Sequence, residues 1–299
     1  MTPYIIGQSK AIYGTWFYFP TYNLMFDCGD GAAYALGIHS SDVKYIFISH
    51  FHSDHTLGLF GMGSFLSRAT KTVKRKIKVY YNKANQEDAN KIIKALKEFN
   101  LDKMFEFIPF DFNEKIEIDG KKFILPFEVS HTAKYYKKSI TACGFSICEE
   151  RKKLKLEHAE KIKNLSNLDK ATYMKNSLII THNSSLYNTY VYKYVTYCGD
   201  SLPVDLEKIG QTEILMHECT FLTKAECDAA HTDLESLVKK FSSNSLNSNL
   251  FSSLILYHLS EKYIREQKDY KDIILEKSKK LNTNIEIVEI NKIYRMFRN

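Results

Sequence analysis

Apolar residues in the first half of the chain come in short blocks closed by turns. Residues 4–7, 15–19 and 24–26 are rich in aromatic and β-branched side chains, which predicts three strands. Asp27-Cys28-Gly29-Asp30-Gly31 ends the third of them. Tyr45-Ile46-Phe47-Ile48 is continuously apolar, the pattern of a strand buried on both faces. Residues 56–67 then predict a helix, 77–81 a strand, and 85–99 an amphipathic helix with Ile92, Ile93, Leu96 and Phe99 on one stripe. Residues 105–110, 115–118 and 123–129 predict further strands, with Asp119-Gly120 as a turn.

Residues 149–176 break this rhythm. They are dominated by Lys, Glu, Asn and Leu without Gly or Pro, and predict an inserted helical excursion. Strands are expected again at 177–181, 189–197 and 213–216, then a helix at 231–241 and a Ser/Asn-rich loop at 242–249. A strand at 254–257, a charged helix at 261–281 and a closing strand at 285–290 complete the pattern. Two runs of strands, each followed by helices, fit an α/β fold: one αββα sandwich domain over residues 1–299.

Composition narrows the class. The 299 residues are 44% hydrophobic and 26% charged, with 12 Gly and 5 Pro, which argues against extended disorder or a linker-dominated chain. No apolar run reaches the roughly 18 residues that cross a bilayer, and the first ten residues do not read as a signal peptide. The six cysteines are scattered without a C-x-x-C pair, which suits reduced thiols. The expectation is a soluble cytoplasmic protein, without a membrane partner. Net charge is +7, yet residues 68–97 alone carry ten basic side chains against Glu87 and Asp88. That cluster suits a phosphate-bearing partner, although solvated faces of a Lys-rich protein give the same count.

The residues with chemistry follow the buried strand at once. His50-Phe51-His52-Ser53-Asp54-His55 places four potential metal ligands within six residues. Two imidazoles two residues apart suit one ion, and the next Asp and His turn toward a second. Four titratable groups straight after a buried strand have no packing rationale. His131, Asp200 and His258 each follow a predicted strand, where loops of a rigid scaffold converge. A solitary histidine more often packs or faces solvent, and His39, His158 and His182 are read that way.

H-x-H-x-D-H followed by a single His, Asp and His resembles the metal-site pattern of metallo-β-lactamase-fold hydrolases, over nearly the whole chain. The stretches around Asp27 and Asp200 also fit, with Asp30 where Glu is usual. His217-Glu218-Cys219-Thr220-Phe221 and His231-Thr232 are similar to two motifs of the ribonuclease Z branch, which cleaves phosphodiesters. The resemblance implies two Zn²⁺, or Mn²⁺ or another divalent ion, around a bridging hydroxide. His50, His52 and His131 would hold one ion and Asp54, His55 and His258 the other, with Asp200 between them. Asp54 would also steer that hydroxide's proton, Asp27 and His217 would support from behind, and Glu218 would polarise His231 to protonate the leaving oxygen.

The ribonuclease Z arm carries a Gly/Pro-rich tip, whereas residues 145–190 here contain no Pro. The N-terminal stretch 7–18, running into Asn23 to Gly29, resembles the anti-Pycsar proteins, phage and bacterial relatives that hydrolyse cyclic CMP or cyclic UMP to evade immunity. That resemblance implies a cyclic-mononucleotide phosphodiesterase, a homodimer, and action in the host cytoplasm if phage-encoded. Tyr13 and Trp16 would then stack on the base, unless they belong to the sheet core. The alternative is a ribonuclease Z-type endonuclease acting on the 3′ side of precursor tRNA.

Overall fold

Side chains along Gly14–Phe19 alternate between two hydrophobic clusters, Phe17 and Phe19 in one, Trp16 and Tyr18 in the other. A strand buried on both faces needs a layer on each side, and the chain supplies both. The computed structural model describes residues 3–69, 75–112, 114–131, 141–180, 186–227, 230–243, 250–267 and 269–296.

The first sheet places β1 (Ile5–Lys10), β2 (Gly14–Phe19), β3 (Leu24–Phe26), β4 (Tyr45–Ile48), β5 (Ile77–Asn82) and β6 (Phe105–Phe110) side by side in chain order. The second does the same with β7 (Ile116–Asp119), β8 (Lys122–Val129), β9 (Ala142–Leu154), β10 (Tyr187–Tyr197), β11 (Ile214–Glu218), β12 (Ser253–Tyr257) and β13 (Asn284–Ile287). β14 (Tyr294–Met296) returns to the first sheet and pairs antiparallel with β1. Pairing is antiparallel from β1 to β3 and from β7 to β10. It is parallel from β3 to β6 and from β10 to β13.

Phe17, Phe26 and Phe47 of the first sheet meet Phe145, Tyr197 and Tyr257 of the second in the central layer. Phe26 stacks on Tyr197 at 5.3 Å between ring centres, and Tyr197 stacks on Tyr257 at 5.2 Å. Outside the first sheet, α1 (Ala32–Leu36), α2 (Ser53–Thr56), α3 (Gly58–Arg68) and α4 (Gln86–Glu98) follow; residues of α1, α3 and α4 pack over Trp16, Tyr18, Ile46 and Ile48. The excursion holds α5 (Leu156–Ile162) and α6 (Asn167–Ile180). Outside the second sheet, residues of α7 (Leu206–Ile209), α8 (Leu234–Ser242), α9 (Lys262–Arg265) and α10 (Tyr270–Ser278) cover Leu215, Leu254 and Leu256. No helix among the described residues is long and apolar enough to cross a membrane.

Several expectations change. The excursion expected over 149–176 starts later, because Glu149 to Leu154 continue β9 and pair with β10. The strand expected at 177–181 is the last turn of α6, its apolar end being as compatible with a helix; Thr181 lies outside the described residues. The helix over 261–281 breaks where Gln267 takes a φ of 51°, and Asp269 caps a new helix by accepting from Asp272 N–H. The helix expected from His231 begins at Leu234, because Asp233 caps it at Ser236 N–H, leaving His231 on the preceding loop. β14 was not expected. Of the basic cluster, Lys71 and Lys74 lie outside the described residues, as do His182 and residues 244–249 of the Ser/Asn-rich loop.

The loop after β3 lies directly on the turn of α2. Cys28 N–H donates to His55 O at 2.9 Å and Gly58 N–H to Cys28 O at 2.8 Å. A Cβ on Gly58 would lie 2.0 Å from Gly29 O, so only glycine permits this approach. Helix propensity alone favours Ala over Gly by about 1 kcal/mol, but Gly58→Ala is expected to destabilise by about 1–3 kcal/mol through overpacking. A thermal melt checks it: an unchanged or raised midpoint contradicts the tight contact.

Candidate metal centre

β3, β4, β8, β10, β11 and β12 each run straight into a loop that carries polar side chains to one rim of the sandwich. Asp27, directly after β3, is buried and takes a φ of 54°. Its Oδ1 accepts from Ser49 N–H at 2.7 Å. Its Oδ2 accepts from Ser49 Oγ at 2.7 Å, His55 Nδ1 at 2.7 Å and Tyr197 hydroxyl at 2.6 Å. One carboxylate thereby joins β3, the loop after β4 and the end of β10 in the other sheet.

Two overlapping groups converge there. Nitrogens and oxygens of His50, His52, His131 and Asp200 lie within 4.8 Å of one another, as do those of Asp54, His55, Asp200 and His258. Asp200 belongs to both. The tautomers follow from the hydrogen bonds behind the rings. Nδ1–H of His50 donates to Ser49 Oγ, which itself donates to Asp27; that of His55 donates to Asp27. Nδ1–H of His131 donates to Ala230 O at 3.0 Å, and that of His258 to Thr220 Oγ1 at 2.9 Å, since that hydroxyl donates to Glu218. Four Nε2 lone pairs are thus directed at one buried place, where Asp200 Oδ1 finds no hydrogen-bond partner among the described residues. Convergent lone pairs and carboxylates repel one another unless cations lie between them. The donor set therefore fits a divalent metal centre.

Titration follows burial first. Burial, with the nearby His55, holds the His50 imidazole well below its usual range, and burial beside His131 pushes His52 down to about 4. Burial lowers His131 too. Burial opposes a proton on His55, but the carboxylates of Asp200, Asp27 and Asp54 outweigh it and push this ring well up. Burial likewise opposes charge on Asp200, which His258 and His55 nevertheless hold well below the carboxylate range. The three imidazoles of the first group are thus kept neutral and able to ligate, while Asp200, shared by both groups, stays ionised.

Glu218, the last residue of β11, is buried beside this centre. Its Oε1 accepts from His231 Nδ1 at 3.0 Å and from Ser201 N–H at 3.1 Å. Its Oε2 accepts from the Thr220 hydroxyl at 2.8 Å and Thr220 N–H at 3.1 Å. The His231 ring stacks on His258 at 5.2 Å. His217 lies behind: Nδ1–H donates to Glu218 O, Nε2 accepts from Val204 N–H, and burial keeps the ring neutral.

The family model described as anti-Pycsar protein Apyc1 matches residues 16–191, more than half of the chain. The chain belongs to this family. Ribonuclease Z of Archaeoglobus fulgidus is 27% identical over 284 residues, covering 89% of this chain and 86% of the relative. Ribonuclease Z of Saccharolobus solfataricus is 29% identical over 245 residues, covering 73% and 76%. The fold is shared with the metallo-β-lactamase-fold protein YhfI of Bacillus subtilis, at TM-score 0.61, 15% identity and coverage of 98% and 100%. Unliganded yeast PDE1 gives TM-score 0.58 at 11% identity, covering 97% and 98%.

In this member of the anti-Pycsar Apyc1 family, every residue expected around the metals lies at one centre: His50, His52, Asp54, His55, His131, Asp200 and His258 in the two groups, with Asp27, His217, Glu218 and His231 around them. Trp16 is the correction. It faces outward from β2 into the core beneath the helices and is fully buried, so it does not line the centre. Tyr13 is 54% exposed, with its hydroxyl on Glu261 and the Lys10 ammonium 3.8 Å from its ring centre. Ser49 and Thr220 were not singled out, although each lies inside or beside a recognised motif. Tyr197 acts across 170 residues, and no local pattern marks it. Asp27→Asn would turn an amide NH₂ toward groups that donate, and metal affinity is expected to fall about 10–100-fold. Zinc retained after dialysis against graded chelator measures this; wild-type retention contradicts the role of Asp27.

Proposed function

We propose that the protein is a dinuclear-metal phosphodiesterase that hydrolyses cyclic mononucleotides of the cyclic CMP or UMP type. The observation that carries this reading is the pair of donor groups sharing Asp200, with the Glu218–His231 pair beside them, in a chain of the anti-Pycsar Apyc1 family. His50, His52 and His131 would hold one ion, Asp54, His55 and His258 the other, and Asp200 both; zinc suits these ligands first, manganese second. Two such cations, when bound, ready a solvent molecule for attack on phosphorus and offset the charge that builds in the transition state.

The chain's own residues do the rest. Asp54 faces this centre and accepts a proton from the incoming solvent. Glu218 fixes His231 through Nδ1 and, with Asp200 Oδ2 3.8 Å away, stabilises its imidazolium. The opposite ring nitrogen hands its proton to the departing ribose oxygen, which as an alkoxide would be a poor leaving group. Opening a cyclic phosphodiester breaks one P–O bond and yields a nucleoside monophosphate. The second reading, cleavage at the 3′ side of precursor tRNA, rests on the ribonuclease Z relatives and uses the same residues. A homodimer belongs to the proposal, and sedimentation at equilibrium tests it.

Purified protein with zinc or manganese, offered 3′,5′-cyclic CMP, cyclic UMP and cyclic AMP beside a 3′-extended precursor tRNA, separates the two readings. Turnover of cyclic pyrimidine nucleotides is expected, and tRNA trimming with inert cyclic nucleotides reverses the ranking. His231→Ala is expected to keep its metal and lose about 10²–10⁴-fold in turnover. An unchanged rate, or a metal-free variant, overturns the proton-donor assignment.

A further inference from the structure

The turn between β1 and β2 reaches the centre without giving it a side chain. Ala11, Ile12 and Tyr13 form it, and the Ile12 main-chain N–H donates to Asp54 Oδ2 at 3.2 Å. Ile12 holds a φ of 75°, a left-handed conformation unfavourable for a β-branched residue. Its side chain is 83% exposed, so burial of that side chain does not hold the turn in place. Polar contacts on either side of it do.

The Tyr13 hydroxyl donates to Glu261 Oε2 at 2.6 Å, and the Lys10 ammonium donates to Glu261 Oε1 at 2.8 Å. Ala11 N–H donates to Leu259 O at 3.3 Å, and His258 N–H donates to Ser9 Oγ at 3.0 Å. The turn is thus stitched to the segment that follows β12, the one that carries His258. The turn meets the second donor group at the Asp54 carboxylate, and Ser9 of β1, just before the turn, meets it at the His258 main chain. Asp54 Oδ2 also faces His258 Nε2 at 3.3 Å. A carboxylate oxygen has more than one lone pair, and a main-chain donor occupying one of them limits how the group can rotate. Such a donor has no rotamers of its own, so its aim depends on where the turn is pinned.

We propose that Glu261 is a positioning residue: by pinning the strained β1–β2 turn it aims the Ile12 amide at Asp54 and keeps Asp54 and His258 in register as one half of the metal centre. Glu261 belongs to neither donor group and acts through its contacts with Lys10 and Tyr13 at the turn. The inference rests on the metal-dependent hydrolysis proposed above.

The test compares wild type with Glu261→Ala and Glu261→Gln, using the full chain stripped of metal and titrated with zinc by calorimetry, then assayed on cyclic CMP. In Glu261→Ala the second zinc is expected to bind about tenfold more weakly while the first is unchanged, the size of effect seen when support behind a ligand is removed. At saturating zinc, kcat is expected to fall about tenfold with KM unchanged, because the loss is one of aim at the reacting centre. Glu261→Gln, which keeps an acceptor for the Tyr13 hydroxyl, recovers part of both losses, and the metal-free proteins melt together. Wild-type zinc binding and kcat in Glu261→Ala overturn the proposal. So does an equal weakening of both zinc steps with a lowered melting point, which marks a general structural role. If wild type turns over no phosphodiester while Glu261→Ala still loses its second zinc selectively, the functional proposal fails and the positioning role stands.

Discussion

The centre depends on the buried carboxylate of Asp27. Four donors reach it, from the Ser49 main chain and hydroxyl, the His55 ring and the Tyr197 hydroxyl. Leaving so much polarity dry without partners would cost several kcal/mol; satisfied, the network fixes one arrangement. Its reach is what matters. Ser49 orients His50, His55 is held directly, and Tyr197 ends three residues before Asp200. A ligand from each donor group, and the strand leading to the shared aspartate, are set by one side chain that faces no solvent.

A second chain of polar contacts runs from the other side. His258 leans on the Thr220 hydroxyl, Thr220 on Glu218, and Glu218 holds His231. The residues that would bind metal and the residue that would deliver a proton therefore share supports. Double-mutant effects within this set are not expected to add, since members of one network are coupled.

How much of this is legible in the sequence depends on how local each signal is. The ligands at 50–55 stand out because one loop holds four of them after an unmistakably buried strand. His131, Asp200 and His258 are legible only through strand-end placement and resemblance. The central and outer layers follow from alternation, yet alternation alone could not tell that Trp16 faces the helices and not the opening. The run at 177–180 reads as strand or helix with equal ease until the preceding turns of α6 are known. Tyr197 meeting Asp27, Ile12 meeting Asp54 and β14 meeting β1 are contacts between distant parts of the chain. They arise from tertiary packing, which no window of residues records.

Phe26, Tyr197 and Tyr257 lie in one column between the sheets, and two of these rings end in hydroxyls that bind Asp27 and Gly199 O. The apolar interior and the polar rim are therefore two ends of the same side chains. A fold built this way has no separate scaffold on which its reactive groups merely ride. A core substitution that shifts these rings would also shift the hydroxyls that hold Asp27 and the Gly199 carbonyl.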